Sequence, residues 1–377
     1  MKSFLLKLFV VNLLYISLNC SFQISIFNEL NKGNKGKNLI ISPLSIFQIL
    51  SLTANGAKNR TQSEMIEALQ NVDIDTLNAI NFEILEAIKK FSTVEMANAV
   101  MSKFTPLQEF LDISEKYCAP LEKLISVEQV NNWCSEKTHG KITKILSQLK
   151  PEVQMILLNA VYFKGEWTQT FKERLTSKKD FYNLGTNIKQ VDTMTQISKF
   201  KYYQDTQIQA VELPFTKDDM SAIIILPSKN LDINKYITSL ASSEENSLND
   251  LFSKLTYAKV DLELPKFELQ FDSSLKEVLK DMGMEEAFSD YADFTGLREE
   301  KNLKIDDVLH KTYLKVNELG TEAAAVTAVV VKYGSARPTQ EIVYSMKVNR
   351  PFLFLLRSKR LPKNYDLLFI SKIEKLE

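Results

Sequence analysis

Glycine, histidine and cysteine are scarce in this chain of 377 residues, and their scarcity excludes several kinds of functional site. No two of the ten glycines are separated by a single residue, so the dinucleotide-binding Gly-x-Gly-x-x-Gly is absent, and neither a P-loop nor a Gly-x-Ser-x-Gly elbow occurs. The two histidines, His139 and His310, cannot form His-Glu-x-x-His and argue against a metal centre. The three cysteines, Cys20, Cys118 and Cys134, lack Cys-x-x-Cys spacing and predict neither a disulfide framework nor a zinc cage. We therefore expect no cofactor and no metal.

The charge balance excludes a further class of partner. Lysine plus arginine and aspartate plus glutamate number 47 each, so the formal net charge is zero. A protein that neutralises many phosphates needs a basic surplus or patch, and the whole chain offers no surplus. Apolar residues make up 45% and charged residues 25%, values typical of a globular protein with a sizeable core. We expect no nucleic-acid partner.

The first 20 residues predict a targeting segment. After Lys7 an apolar stretch runs from Leu8 to Leu18, interrupted by Asn12, and is too short for the roughly 20 residues of a membrane-spanning helix. Its length and character fit a secretory signal peptide over residues 1–20, although Leu18 and Cys20 are poor cleavage-site residues. The alternative is an N-terminal core helix of a cytoplasmic protein. We expect a secreted protein without a membrane anchor.

The rest of the chain reads as one domain over residues 21–377, because no internal repeat or proline-rich linker divides it. Ser42 and Pro43 predict the N-cap and first residue of a helix that runs to Leu52. Apolar spacing over residues 127–149 predicts two amphipathic helices joined by a turn at His139 and Gly140. A further helix is predicted over residues 274–284, and residues 239–249 are predicted to form a mobile surface loop.

Several apolar runs predict strands. Met155–Phe163 has no polar interruption except Asn159, which is typical of a strand buried on both faces. Pro227 and Pro265 mark the ends of two other predicted strands, because proline lacks the N–H that a central strand needs. The predicted strands are residues 155–163, 222–226, 260–264, 351–356 and 367–370. Together with the helices they predict an α+β fold.

The segment that follows Val316 has an unusual composition. It reads VNELGTEAAAVTAVVVKYGSARPTQE, in which three alanines favour helix and the valines that follow favour strand. With period two, Thr321, Ala323, Ala325, Thr327 and Val329 share one face of small or β-branched side chains. A polar, turn-prone stretch then resembles an exposed loop tip. The alternative is a buried strand or alanine-rich helix of an ordinary enzyme.

Six segments in order resemble the serpin family over nearly the whole chain. They read NLIISPLSIFQILSL, VNNWCSEKTHGKITKIL, LLNAVYFKGEW, VDLELPKFEL, VLHKTYLKVNELGTEAAAVTAV and NRPFLFLLR. The resemblance implies a fold of three β-sheets with eight or nine helices and an exposed reactive centre loop, here about residues 318–345. It also implies an inhibitor, not an enzyme: a serine protease cleaves the loop, is held as its acyl-enzyme, and the freed loop inserts into the main sheet.

The resemblance assigns three groups of residues. Small hinge residues are typical of inhibitory family members. The alternative function is that of a non-inhibitory member, such as a carrier or chaperone, and an unrelated hydrolase is a weaker alternative. The upper sheet is expected to hold an ion pair between Lys266 and Glu318 beside Trp167. A polar cluster is expected beneath the sheet that opens. The hinge residues are Glu318, Gly320, Thr321, Glu322, Ala323, Ala324, Ala325 and Thr327, and the cluster comprises Ser42, Ser45, Asn159 and His310.

The family register, counted forward from Glu318, places the cleaved bond at Gly334–Ser335. Glycine fills no specificity pocket, so three neighbouring residues stay open as alternatives. Tyr333 would suit a chymotrypsin-like or cathepsin G-like protease, whereas Lys332 or Arg337 would suit a trypsin-like one. The expected partner is thus a serine protease, with cysteine proteases as a further class, and the inhibitor is expected to be a monomer.

Overall fold

A computed structural model describes residues 21–69, 73–242, 248–321 and 342–377. These residues form nine α-helices, which we number in chain order, and two short 3-10 segments at Glu173–Leu175 and Glu286–Phe288. The helices are α1 Phe22–Gly33, α2 Pro43–Gly56, α3 Asn59–Leu69, α4 Ile74–Ile88, α5 Gln108–Lys116, α6 Val127–Lys137, α7 Ile233–Ser242, α8 Leu248–Lys254 and α9 Lys276–Asp281.

The same residues form sixteen strands in three sheets, which confirms the predicted α+β class. The strands are β1 Leu39–Ile41, β2 Val94–Ser102, β3 Leu121–Lys123, β4 Met155–Phe163, β5 Gly165–Glu166, β6 Ser177–Asn183, β7 Asn187–Gln204, β8 Ile208–Pro214, β9 Met220–Pro227, β10 Thr256–Pro265, β11 Phe267–Ser274, β12 Asp307–Val316, β13 Gly320–Thr321, β14 Val343–Lys347, β15 Phe352–Ser358 and β16 Leu367–Ile373.

The three sheets differ in size and strand order. The nine-stranded sheet has the order β1-β16-β15-β9-β8-β7-β10-β14, with β6 paired to β7. The five-stranded sheet has the order β11-β12-β4-β2-β3, and the two-stranded sheet pairs β13 with β5. Helix α2 is buried along almost its whole length and contacts both larger sheets. Its burial explains why the apolar residues that follow Pro43 are not confined to one face of the helix.

Most predicted elements are present with modest changes in their bounds. The helix predicted to begin at Pro43 does so and continues to Gly56, and the predicted strand Met155–Phe163 is buried at all nine positions. His139 and Gly140 form the predicted turn, with positive φ angles of 50° and 76°. The signal peptide predicted over residues 1–20 lies outside the described residues, and no helix that the structure describes is long and apolar enough to cross a membrane.

One predicted helix is wrong. Residues 141–149 were expected to be helical but have no regular secondary structure. The amide side chain of Asn131 binds this segment instead: its Oδ1 accepts the N–H groups of Ile145 and Leu146 at 2.8 and 2.9 Å, and its Nδ2 donates to the Leu146 carbonyl. The apolar side chains still pack against a buried cluster that includes Val130 and Trp133. Their spacing therefore predicted burial correctly and backbone conformation incorrectly.

The surface loop predicted over residues 239–249 is also partly wrong. Residues 239–242 end α7 and residues 248–249 begin α8, whereas residues 243–247 lie outside the described part of the chain. Ile233, Tyr236, Ile237 and Leu240 bury one face of α7, so packing extends the helix into a stretch whose serines favour a loop.

Candidate functional site

The two central strands of the five-stranded sheet pair directly with each other. Strands β4 and β12 run parallel, with partners from Ile156 and Asp307 at one end to Val161 and Thr312 at the other. We call these paired residues, 156–161 and 307–312, the seam. Beyond Val161 and Thr312 both strands continue, and among the described residues 313–316 pair only with β11 and 162–163 only with β2. The sheet thus has a parallel pair at its centre that diverges at its upper end.

The polar cluster predicted beneath the sheet is assembled at this seam. The ring of His310 and the side chain of Asn159 lie 2.6 Å apart between Nδ1 and Oδ1, and the Ser42 backbone N–H donates to His310 Nε2 at 3.2 Å. Asn159 Nδ2 donates to Ser45 Oγ, so all four predicted residues are connected. Since Nε2 accepts a backbone N–H, Nδ1 must carry the ring proton and donate it to Asn159. Complete burial lowers the pKa of His310 to about 3, so the ring is neutral.

Sequence reasoning missed one member of the cluster and misjudged another. Asn98, on β2, accepts hydrogen bonds from Asn159 Nδ2 at 2.6 Å and from Ser45 Oγ at 3.1 Å. The signal was its position as a lone polar residue in the run MANAV of β2, which lies opposite Asn159. Ser42 occupies the N-cap position of α2, but its side chain makes no capping bond and its Oγ is buried without a partner among the described residues.

The ion pair expected at the top of the sheet is present. Lys266 Nζ lies 3.0 Å from Glu318 Oε2, and the Glu318 side chain is only 7% exposed. Thr176 Oγ1 donates to the other carboxylate oxygen at 2.8 Å. Burial by itself would raise the pKa of Glu318, but the hydrogen bonds from Thr176 and Lys266 outweigh it and the pKa is lowered. The carboxylate is therefore ionised and fixed to two neighbouring segments.

A tight turn follows β12 and carries the chain to Thr321. Trp167 supports the turn: its indole Nε1 donates to the Asn317 carbonyl at 3.0 Å, its backbone N–H donates to the Leu319 carbonyl at 2.9 Å, and its ring stacks on Phe215 at 4.3 Å between centroids. Gly320 has a φ of 143°, and a Cβ there would lie 2.0 Å from the carbonyl oxygen of Gly165. Only glycine fits this close approach.

Thr321 is the last described residue before the predicted loop, and it is fully buried. Its backbone pairs with Gly165 in the two-stranded sheet, and its Oγ1 accepts the Gly165 N–H at 2.8 Å. The described chain resumes at Ile342 and enters β14, which pairs in parallel with β10. Residues 318–321 and 343–345 of the predicted loop thus belong to structured turns and strands. The remaining predicted residues lie outside the described part of the chain: Glu322, Ala323, Ala324, Ala325, Thr327, Lys332, Tyr333, Gly334, Ser335 and Arg337.

Comparison with known proteins identifies the family. The family model described as serpin (serine protease inhibitor) matches residues 17–375. Iripin-2 of Ixodes ricinus is 33% identical over 95% of this chain and 92% of its own length, and intracellular coagulation inhibitor 2 of Tachypleus tridentatus is 34% identical over 91% and 87%. The crystal structure of the thermophilic serpin tengpin in its native state superposes with a TM-score of 0.85 at 31% identity, covering 96% of this chain and 94% of tengpin. The chain therefore belongs to the serpin family of protease inhibitors and is not an enzyme.

Proposed function

We propose that this serpin inhibits serine proteases as a suicide substrate. In this mechanism the protease serine attacks a peptide bond between Thr321 and Ile342, which breaks to leave the upstream carbonyl as an ester on the serine and a free amino group on the downstream chain. The protease is trapped when the esterified end inserts between β4 and β12. The observation that carries the proposal is the seam: two parallel central strands diverge at their upper end, next to the turn that leads to Thr321.

The energetics favour insertion at the seam. A chain that follows β12 through a tight turn runs antiparallel to both β12 and β4, so insertion replaces one parallel ladder with two antiparallel ones, which are slightly more stable per residue. An inserted strand would also hold the four valines of residues 326–331 within the sheet, where burial of apolar surface is favourable. The uninserted fold is then a kinetically trapped state.

The length of the segment supports the same proposal. Residues 321–333 would extend over roughly 43 Å as a strand at about 3.3 Å per residue. Strand β4 has nine residues and extends over roughly 30 Å by the same measure. An inserted segment of this length would span the whole sheet and carry an attached protease past its far end.

The cleaved bond and the protease class follow from the residues near position 334. The family register supports Gly334–Ser335, for which the adjacent side chains must supply the specificity. Tyr333 would direct the inhibitor to chymotrypsin-like or cathepsin G-like proteases, whereas Lys332 or Arg337 would direct it to trypsin-like ones. Proline at 338 makes cleavage after Arg337 the weakest alternative, because proline removes the N–H and fixes the backbone on the leaving side.

A protease panel tests the mechanism. The full chain is incubated with chymotrypsin, cathepsin G, trypsin and a papain-like cysteine protease, and the products are separated under denaturing conditions. We expect a covalent complex with at least one serine protease, and a chain cleaved in the loop that melts well above the intact chain. Thr327→Arg places a large charge on the face of small residues and should convert the inhibitor into a substrate. Ala324→Arg lies on the opposite face of the strand and should form more covalent complex than Thr327→Arg does. Cleavage without complex formation by any enzyme, and without a rise in melting temperature, would reject the proposal.

The domain extent and the cellular location are part of the same proposal. Residues 21–377 would form the inhibitory domain, and residues 1–20 would be a signal peptide of a secreted inhibitor. The Tachypleus relative is named as an intracellular inhibitor, which supports the cytoplasmic alternative. Sequencing the N-terminus of the protein from its native source distinguishes the two, because a secreted form would begin near Ser21 and a cytoplasmic form near Met1.

A further inference from the structure

A cavity of about 700 Å³ lies where five connecting segments meet, and no residue that the structure describes in the proposed inhibitory site lines it. The segments are the turn after α1, the β6–β7 hairpin, the connection from β9 to α7, the connection from β14 to β15, and the residue after β16. Its volume falls within the range of roughly 300–1,000 Å³ that is typical of small-molecule sites.

One wall of the cavity carries a cation without a carboxylate partner. Arg350 is half-buried, and it donates from Nε to the Pro227 carbonyl at 2.8 Å and from Nη1 to Asn349 Oδ1 at 3.3 Å. Burial lowers its pKa, and no carboxylate of the described residues forms an ion pair with it. A partly desolvated guanidinium with free N–H donors is suited to bind a carboxylate or another planar anion.

Another wall carries an acceptor without a donor. Glu374 is 2% exposed, and its Oε1 lies 3.1 Å from Lys372 Nζ and accepts a hydrogen bond from Asn234 Nδ2 at 2.9 Å. Its Oε2 has no hydrogen-bond partner among the described residues and lies beside Gly36, which also lines the cavity. Lys372 cannot satisfy this oxygen, because its other two hydrogen bonds go to the Asn34 carbonyl and Asn234 Oδ1. A buried unpaired oxygen costs roughly 1–3 kcal/mol. Since Glu374 Oε2 has almost no exposed surface, its carboxylate must rotate toward the cavity before a donor there can recover this cost.

The start of helix α7 does not compete for an anion. Asp232 Oδ1 already accepts the N–H groups of Asn234 and Lys235 at 3.0 Å, so the helix end is capped by a carboxylate. The remaining walls include the apolar side chains of Leu184, Leu231 and Pro351, of which Leu184 is 41% exposed. Two cationic side chains line the cavity, Lys229 and Arg350, and only Arg350 is half-buried, so we take Arg350 as the anion-binding element. Other lining residues are apolar.

We propose that this cavity binds a small amino carboxylate whose carboxylate contacts Arg350, whose amino group donates to Glu374 Oε2, and whose apolar body packs against Leu184, Leu231 and Pro351. The carboxylate would meet N–H groups of Arg350 that its two hydrogen bonds leave unused, and the amino group would meet an acceptor without a donor among the described residues. The charge of Glu374 is already balanced by Lys372, so the ammonium group contributes mainly its hydrogen bond and the carboxylate mainly its charge. The proposal is independent of the inhibitory mechanism, because the cavity lining shares no residue with the described part of the inhibitory site.

Titration calorimetry of the full chain with 4-aminobutyrate, 6-aminohexanoate and 8-aminooctanoate tests the proposal, because the three probes vary the distance between the charged groups. We expect one length to bind with a Kd of about 1 mM or tighter, since small ligands gain on the order of 0.3–1.5 kcal/mol per heavy atom. Hexanoate, which lacks the amino group, and hexylamine, which lacks the carboxylate, should each bind at least tenfold more weakly than 6-aminohexanoate if that probe has the preferred length.

Two variants locate the site. Arg350→Gln should weaken binding of the preferred probe at least tenfold, and Leu231→Trp should abolish it by filling the cavity. Arg360→Gln is the matched control, because this arginine pairs with Asp219 and lies outside the cavity. The proposal is overturned if none of the three probes binds below 10 mM, or if Arg350→Gln binds as tightly as the unmodified protein while its circular dichroism shows the native fold.

Discussion

Asn159 and His310 lie directly opposite each other in the seam, and their side chains are joined by a hydrogen bond of 2.6 Å. The bond connects β4 to β12 beside the backbone ladder, at the place where the proposed mechanism requires the two strands to separate. His310 also receives the backbone N–H at the start of α2, so a helix and two strands meet at one neutral imidazole. The stability of this cluster should therefore control how readily the sheet opens.

Acidification should weaken the seam through His310. Its pKa is near 6.5 when the chain is unfolded and about 3 in the folded protein, so the unfolded state binds more protons between these values. Its contribution to stability is complete above pH 6.5 and is lost at up to roughly 1.4 kcal/mol per pH unit as the pH falls toward 3. Urea unfolding at pH 7, 6 and 5 should give a shallower pH dependence for His310→Gln than for the unmodified protein. Parallel curves would contradict this assignment.

Loss of Asn98 should destabilise the cluster that sequence reasoning underestimated. Asn98→Ala leaves Asn159 Nδ2 and Ser45 Oγ each without one acceptor, at a cost of about 1–3 kcal/mol. In a double-mutant cycle with Ser45→Ala, the two losses should not add, because the residues share a hydrogen bond. The measurement is the urea midpoint of the two single variants and the double variant. Additive losses would show that the two residues act independently.

Lys266→Gln should destabilise the top of the five-stranded sheet. It leaves the buried Glu318 carboxylate without its cation, and since Lys266 is 38% exposed the expected cost is about 1 kcal/mol. Because the pKa of Glu318 is lowered, its contribution to the free energy of unfolding is present above pH 4.5 and is lost as the pH falls below that value. The difference between Lys266→Gln and the unmodified protein should thus shrink below pH 4.5.

The control for this prediction is Lys178→Gln. Lys178 also pairs with a carboxylate, that of Asp192, but both side chains are at least half exposed, so its loss should change the free energy of unfolding by less than about 0.5 kcal/mol. Equal effects of the two substitutions on the urea midpoint would refute a special role for the buried pair.

Gly320→Ala should displace the turn that precedes Thr321. The added Cβ would clash with the Gly165 backbone at 2.0 Å, and the φ of 143° is strained for any other residue. We expect a loss of at least 2 kcal/mol in unfolding free energy and more substrate-like cleavage per inhibited protease. Gly33→Ala is the matched control, since nothing lies within 4 Å of its added Cβ, and it should leave both measurements unchanged. A Gly320→Ala protein that matches Gly33→Ala in both would contradict the close-approach argument.

The sequence by itself predicted the α+β class, the all-buried strand at Met155–Phe163 and the start of α2 at Pro43, because period, apolar runs and proline position act locally. Motif resemblance also indicated the ion pair of Lys266 with Glu318 and four members of the polar cluster. Only the tertiary structure decided that residues 141–149 are not helical, because the Asn131 amide takes hydrogen bonds that a helix would make within itself.

Tertiary structure also decided the direct pairing of β4 with β12, the inclusion of Asn98 and the burial of Glu374 beside a cavity. These features depend on groups far apart in the chain, such as Asn98 and Asn159 or Gly36 and Glu374. Local sequence specifies which residues prefer to be buried and in what conformation. Which polar groups then meet, and which remain unpaired, is fixed only when the distant segments pack together.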